Sequence, residues 1–342
     1  MNYVTIKDVA HEAGVSVPTV SQVLNDTGRI SAATRQRVLE AVRRLDYIPN
    51  SAAISMRSSS TKTVGILVPD ISNSYFSYLI SLITRELLVE GYVCMIGSSS
   101  ESLEGQDRFL RSLLTQRIDG AILIPQGTAS RGLKKFVASG LPLVILDRQV
   151  RDLPDAGRIP VIDADPRPGI KAAIESVKAR GHSRIGFIHG PTAKSPNLLE
   201  REQMFVDIAG SRLGNRNALV SEHVSALSAI REPLSRKVDT FMFGYSPDAL
   251  EAIRYFRLQG LKIGVDVSII SFDDIPVFEL TAPSISVISQ QQGMMGDYGV
   301  RMLSSLMQGR ALGEQTEDAF GRIRIPTLFI DRESVGETCT VA

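Results

Sequence analysis

The chain has 342 residues, 43% hydrophobic and 22% charged, and its 38 Lys and Arg nearly balance its 37 Asp and Glu, for a net charge of +1. That length supports two or three domains with a buried core, and the even charge excludes a chain-wide field for nucleic acid or membrane, so any nucleic-acid surface has to be local. The two cysteines, Cys94 in an apolar run and Cys339 in a polar tail, exclude a disulfide framework and fit a reducing compartment. Residues 1–10 carry no apolar leader core, and no run reaches the roughly 18 apolar residues of a spanning helix. The expected setting is the cytoplasm, with no membrane partner.

Before residue 60, apolar residues recur at helical spacing. Thr5-Ile6-Lys7-Asp8 has the form of a capping box, and Val9, Ala10 and Ala13 form the stripe that follows. Gly14 suits a tight left-handed turn. Ser16 caps a second helix, where Pro18 fits the first turn and Val20, Val23 and Leu24 face inward. Ser31 caps a third, with Val38, Leu39, Val42 and Leu45 expected inside. The turn Ala13-Gly14-Val15-Ser16 makes a helix-turn-helix whose second helix suits the major groove. Its exposed face is expected to offer Val17, Pro18, Ser21, Gln22 and Asn25, with Gln22 shaped for adenine and Val17 for a thymine methyl. Arg29, Arg35, Arg37, Arg43 and Arg44 supply local positive charge. Composition alone leaves a plain three-helix structural module equally open.

The serine-rich segment 57–63 reads as a linker. After it, apolar strands are expected at Val64–Val68, Val93–Gly97, Ala121–Ile124, Leu143–Leu146, Ile185–His189, Thr240–Phe243 and Val267–Ser271. Helices are expected at Tyr75–Glu90, Gln106–Gln116, Pro168–Arg180, Pro247–Gln259 and Gln291–Gln308. This alternation implies parallel sheets covered on both faces, and the span is long enough for two doubly wound subdomains. Ligands of such folds sit beyond the carboxyl ends of the strands. The polar and aromatic residues there are Asn73, Tyr75, Phe76, Asp147, Arg148, Lys194, Ser195, Arg201, Tyr245, Asp273 and Gln290. Such a set suits the hydroxyls and faces of a sugar or nucleoside. Asp274 is expected to make a structural contact. The histidines, His11, His182, His189 and His223, form no pair at metal-ligand spacing, and no phosphate loop or Gly-x-Ser-x-Gly elbow is present. No catalytic residue, metal or cofactor is expected.

The run Val4-Thr5-Ile6-Lys7-Asp8-Val9-Ala10-His11-Glu12-Ala13-Gly14-Val15-Ser16-Val17-Pro18-Thr19-Val20-Ser21-Gln22-Val23-Leu24-Asn25 resembles the head of the lac repressor/galactose repressor family. Tyr47-Ile48-Pro49-Asn50 continues the likeness. The core is similar too, at Val64–Asp70, Arg117–Gly120, Gly181–Gly186, Asp266–Ser268, Phe272–Asp274 and Pro326–Leu328. The resemblance implies a helix-turn-helix head at 1–48, a hinge helix and linker at 49–62, a core of two subdomains at 63–336 that resembles periplasmic sugar-binding proteins, and a tail at 337–342. It implies a transcription regulator, most simply a repressor, acting as a homodimer on a palindromic double-stranded operator under a small-molecule effector. DNA contacts are implied for Thr5, Ser16, Val17, Pro18, Thr19, Ser21, Gln22, Asn25, Arg29, Ser31, Thr34 and Tyr47. In the hinge they are implied for Asn50, Ala53, Met56 and Arg57, with Met56 where the family wedges a leucine into the minor groove. Among the cleft residues, Tyr75, Phe76, Asp147, Arg201 and Asp273 fit the family best. The departures are Gln22 for the usual Arg, Tyr245-Ser246 for Asn-Asp, Gly264 for Pro, Ser271 for Gly, and one extra residue between Gly190 and Arg201. The competing reading is a sugar-binding module or sugar-processing enzyme with an incidental head, a part that a pure binding protein does not need.

Overall fold

The computed structural model describes residues 4–47, 60–153, 159–191, 195–214, 218–221, 226–235, 238–309 and 322–337. Its contacts divide the chain into two compact units, 1–61 and 62–342.

Among its described residues the first unit holds three helices, α1 (Ile6–Ala13), α2 (Val17–Leu24) and α3 (Ala32–Arg44). Asp8 reaches back to accept from the Thr5 backbone N–H and hydroxyl, both at 2.7 Å. Gly14, at φ +63°, ends α1 in the left-handed turn that favours glycine. Ser16 and Ser31 accept from the backbone N–H of Thr19 and Thr34, capping α2 and α3. Val9, Ala10, Ala13, Val20, Val23, Val38 and Ala41 form a small core. Leu39, expected inside, is exposed, because the buried stripe of α3 runs through Val38 and Ala41.

Among its described residues the second unit contains two six-stranded sheets. The first is ordered β11-β5-β4-β3-β1-β2, all parallel, from β1 (Thr63–Val68), β2 (Val93–Ser98), β3 (Gly120–Leu123), β4 (Leu143–Leu146), β5 (Val161–Asp165) and β11 (Arg322–Pro326). Strand β1 shows why both faces must be covered. Val64, Ile66 and Val68 enter one apolar cluster and Leu67 the opposite one. Helices α4 (Ser74–Val89) and α12 (Gln292–Met307) cover the first face, and α5 (Leu103–Thr115) and α6 (Arg131–Ala138) the second. Gly65 permits this close packing, since a Cβ there would meet Leu113 Cδ1 at 2.6 Å.

The second sheet is ordered β12-β10-β9-β8-β6-β7. It contains β6 (Ile185–Ile188), β7 (Ala218–Ser221), β8 (Thr240–Phe243), β9 (Ser268–Phe272), β10 (Ser286–Ser289) and β12 (Leu328–Ile330). Only the β10–β12 pair is antiparallel among these described strands. Helices α7 (Arg167–Ala179) and α8 (Pro196–Leu213) pack on one face through Ile170, Ile174 and Phe205; α9 (Ala226–Ser235) and α10 (Ser246–Leu258) pack on the other through Ile230 and Phe256. A short α11 (Pro276–Leu280) follows β9. The architecture is the expected pair of doubly wound parallel-sheet subdomains, preceded in the chain by a helical head. The chain passes between the sheets after β5, after β10 and again between β11 and β12. No helix among the described residues is long and apolar enough to cross a membrane.

Candidate functional site: a helical head and a core cleft

In the head, Pro18, Gln22 and Asn25 of the α2 segment are exposed, while Val17, Thr19 and Ser21 are half-buried. The Gln22 amide leans over Gly28, where an added Cβ would meet it at 3.3 Å. Asn25 is less available than the sequence implied, because its amide donates to the Ser21 carbonyl at 2.8 Å, on its own helix. Thr5 and Ser31 are exposed but hydrogen-bonded to Asp8 and Thr34; Thr34 is half-buried, and Tyr47 packs against the head core. Not all the arginines present free charge. Arg35 pairs with Asp26 at 2.6 Å, and Arg44 pairs with Glu12. Arg29 is exposed and carries no ion pair among the described residues. Asn50, Ala53, Met56 and Arg57 lie outside the described residues.

In the core, the carboxyl ends of the two sheets face one another across a cleft. It is lined by Asn73, Tyr75, Phe76, Asp147, Arg148, Ser195, Arg201, Tyr245, Asp273 and Gln290, ten of the eleven residues read from the strand ends. Lys194, the eleventh, lies outside the described residues. The space between them totals about 380 Å³ counted out to the mouth. The walls are drawn together by Asn197, which reaches across to the Asp147 carbonyl.

The backbone at three strand ends is left-handed without glycine: φ is +52° at Glu101, +60° at Asp147 and +70° at Asp273. Such residues cost on the order of 1 kcal/mol each and persist where the surroundings over-determine them. Here each one turns a carboxylate into the cleft. Tyr75 donates its hydroxyl to Asp147 Oδ1 at 3.1 Å. Asp273 accepts from Gln290 Nε2 at 2.6 Å and from the Ser246 hydroxyl at 2.9 Å. Arg201 donates to the Gly244 carbonyl at 2.6 Å, with its guanidinium 4.3 Å from the Phe272 ring centre. Asn73 accepts from the Tyr75 backbone N–H at 3.0 Å, capping α4, and Tyr75 meets Phe76 edge to face.

Burial pushes the Asp147 carboxyl above its ordinary range, against the pull of Arg201 and Arg148. Burial, and then the charges of Asp147 and Asp273, hold the Tyr75 phenol well above its usual value. Tyr245 is pushed up to about 12, by burial first and then by the charge of Glu101. These tyrosines act as neutral hydrogen-bonding groups.

Sequence reasoning missed Glu101 and Asn197. Glu101 takes both prongs of the Arg148 guanidinium, at 2.7 and 2.9 Å. It follows β2 and was findable by the strand-end rule that found the others, but the serines before it masked it. Asn197, on the first turn of α8, donates to the Asp147 carbonyl at 2.6 Å and so ties one subdomain to the other. Asp274 makes a structural contact, an ion pair with Arg332 at 2.8 Å.

Residues 5–50 match the model of bacterial regulatory proteins of the lacI family, and residues 174–335 match a periplasmic binding protein-like domain. The ribose operon repressor of Bacillus subtilis (strain 168) is 30% identical over 345 residues, covering 96% of this chain and 98% of its own. The chain belongs to the lacI family. Catabolite control protein A of Priestia megaterium is 27% identical over 89% of this chain and 92% of its own. Among solved structures, a lac repressor dimer bound to operator and the anti-inducer ONPF has a TM-score of 0.81 at 25% identity, over 98% of this chain and 99% of that one. A complex of the regulator CelR with cellobiose has a TM-score of 0.66 at 26% identity, over 97% and 99% of the two chains. This lacI-family member is thus a DNA-binding transcription regulator with a ligand-sensing core, and not an enzyme. The family's usual Arg is Gln22 here and its Asn-Asp is Tyr245-Ser246, so the changes fall on the helix that would meet bases and on the cleft wall.

Proposed function

We propose that the protein is a repressor that binds a palindromic operator as a homodimer, and that a neutral sugar of monosaccharide size, held in the core cleft, sets its affinity for that operator. The domain scheme is a head at 1–48, a hinge at 49–62, a core at 63–336 and a tail at 337–342. The observation that carries the reading is the cleft: Asp147, Arg201 and Asp273, all buried at facing strand ends of two subdomains. Carboxylates and a guanidinium are what ring hydroxyls need, and Tyr75, Phe76 and Tyr245 give an apolar wall. A space of about 380 Å³ suits one sugar ring. A relative named for a ribose operon adds weight to a pentose.

A homodimer is supported by apolar side chains left in solvent on α4 and β2: Leu88 is 68% exposed, Val89 83% and Val93 65%. A twofold pair would present two α2 helices to successive major grooves. The effector acts only through different affinity for two arrangements of the core.

The test has two arms. Selection from a random duplex pool is expected to return a palindrome, and fluorescence anisotropy to show it bound far more tightly than a scrambled duplex over a range of salt. Thermal shift with pentoses and hexoses is expected to raise the melting temperature for one sugar, and that sugar to change operator affinity. Equal binding to palindrome and scramble at every salt concentration would sink the proposal.

A further inference from the structure

This inference rests on the cleft being the effector site, and it concerns which molecules that cleft admits. We propose that Glu101 is a charge filter: by holding Arg148 in a two-pronged ion pair on the cleft wall, it restricts the effector to uncharged polyols and turns phosphorylated sugars away.

The geometry of the pair is the first argument. Arg148 Nη1 donates to Glu101 Oε2 at 2.9 Å, and Nη2 to Oε1 at 2.7 Å. The Arg148 side chain is 5% exposed and that of Glu101 15%. A fork bound in this way is strong and specific in orientation. Arg148 keeps N–H bonds for a hydroxyl but offers an anion no net charge.

The second argument is charge arithmetic. Among the described lining residues, three carboxylates (Glu101, Asp147, Asp273) face two guanidinium groups (Arg148, Arg201), which leaves one negative charge in excess. With Asp147, Arg148, Arg201 and Asp273 all buried, that excess repels a phosphoryl group at short range. Neutralising Glu101 brings the balance to two against two. It also leaves Arg148 buried without its partner, a state relieved by binding an anion.

The backbone gives the third argument. Ser100 and Glu101 stand in the left-handed region, at φ +50° and +52°, where glycine is the easy choice. The turn is fixed by the Glu101 N–H, which donates to the Pro69 carbonyl at 3.0 Å. The side chain is therefore aimed across the strand ends at Arg148. Packing alone does not require an acid there, since the Phe76 ring already lies 5.6 Å from the guanidinium.

The experiment uses the full chain and Glu101→Gln, which keeps the shape of the side chain and one acceptor. The probes are D-ribose and D-ribose 5-phosphate, D-glucose and D-glucose 6-phosphate, D-fructose and D-fructose 6-phosphate, and inorganic phosphate, followed by titration calorimetry and thermal shift. In the unmodified chain each phosphorylated probe is expected to bind more weakly than its neutral partner. In Glu101→Gln at least one phosphorylated probe, or inorganic phosphate, is expected to gain roughly tenfold, about 1.4 kcal/mol, while Glu101→Asp keeps the filter. If Glu101→Gln does not stay folded, Glu101→Ser, which continues the preceding serine run, carries the same expectation. The filter is overturned if the unmodified chain takes a phosphorylated sugar as tightly as the neutral one. It is equally overturned if a neutral sugar binds but no phosphorylated probe gains in the variant, an outcome that leaves the cleft reading standing. Binding of no probe to either protein overturns both.

Discussion

Asp147 is a tightly constrained polar side chain of the cleft. It sits at φ +60° and is 4% exposed, with a carboxyl that burial holds above the ordinary range. The Tyr75 hydroxyl is one of the few groups easing that burial. Tyr75→Phe removes the donor without opening space, and a buried acceptor deprived of a partner costs about 1–3 kcal/mol. Denaturant unfolding of the core is expected to show a loss in that range, and sugar binding to weaken with it. An unchanged midpoint would mean that Asp147 has another adequate donor. A second residue sets a pH dependence. His182 places Nδ1 3.1 Å from Asp239 and Nε2 2.9 Å from the Gly336 carbonyl, pinning the last described segment to the second sheet. Burial opposes charge on the ring, but the Asp239 and Gly336 hydrogen bonds outweigh it and hold His182 above its ordinary 6.5. Asp239 in turn is held below 3.8: burial works against this, and the His182 bond prevails. A raised histidine stabilises fully below its unfolded value and less as pH rises through the folded one. A lowered carboxylate stabilises above its unfolded value and less as pH falls. The stability difference between the unmodified chain and His182→Gln is therefore expected to be largest between about pH 4 and 6.5. It should shrink on either side in a series of melting curves.

The element that joins the subdomains is α8. Its first turns carry Asn197, bonded to the Asp147 carbonyl, and Glu200, paired at 2.8 Å with Arg324 of β11 in the other sheet. Arg201 on the same helix faces the cleft. Glu200 does not line the cleft, so Glu200→Gln loosens the drawn-together arrangement without removing a contact to the sugar. The pair is partly solvated, which limits it to about 1 kcal/mol or less. Sugar affinity is expected to drop about two- to fivefold, with the head's affinity for DNA in the absence of sugar little changed. No loss of sugar affinity would show that α8 does not hold the cleft through this pair. The same element marks what a sequence conceals. Strands β1, β2, β3, β4, β6, β8 and β9 fall within one residue of their predicted ends, because each is a near-continuous apolar run, and all but the edge strand β2 are buried on both faces. Strands β5, β7, β10, β11 and β12 were not read; in β5 and β11, VIDAD and RIRIP alternate apolar and charged residues like a loop. Their logic is reciprocal and non-local: Asp163 is 3% exposed and takes Arg322 at 2.7 Å and Gln149 at 3.0 Å. Strand ends made most of the cleft legible. Glu101 stood hidden behind a serine run, and Asn197 escaped because it lies on a helix and its partner, the Asp147 carbonyl, is far away in sequence.

At the scale of the whole molecule, a net charge of +1 means that DNA affinity has to come from a few placed cations. Two of the head's arginines, Arg35 and Arg44, already hold acids. Arg29 is exposed and follows the turn after α2, and we propose that it meets phosphate. That makes it a counter of heads. Binding releases counterions in proportion to the phosphates neutralised, so log affinity falls with log salt at about 0.9 per contact. Arg29→Ala removes one contact from every head on the operator. A twofold complex is therefore expected to lose about 1.8 from that slope, and a single head about 0.9. Anisotropy titrations at four or five salt concentrations, on the unmodified chain and the variant, separate the two. A change near 0.9 would argue against a paired complex, whatever the symmetry of the operator. No change would remove Arg29 from the phosphate contacts, and Arg37→Ala would then serve as the counter, since Arg37 too is exposed and carries no ion pair among the described residues. A change near 1.8 that disappears when the operator is cut to one half-site would tie the two heads to its two halves.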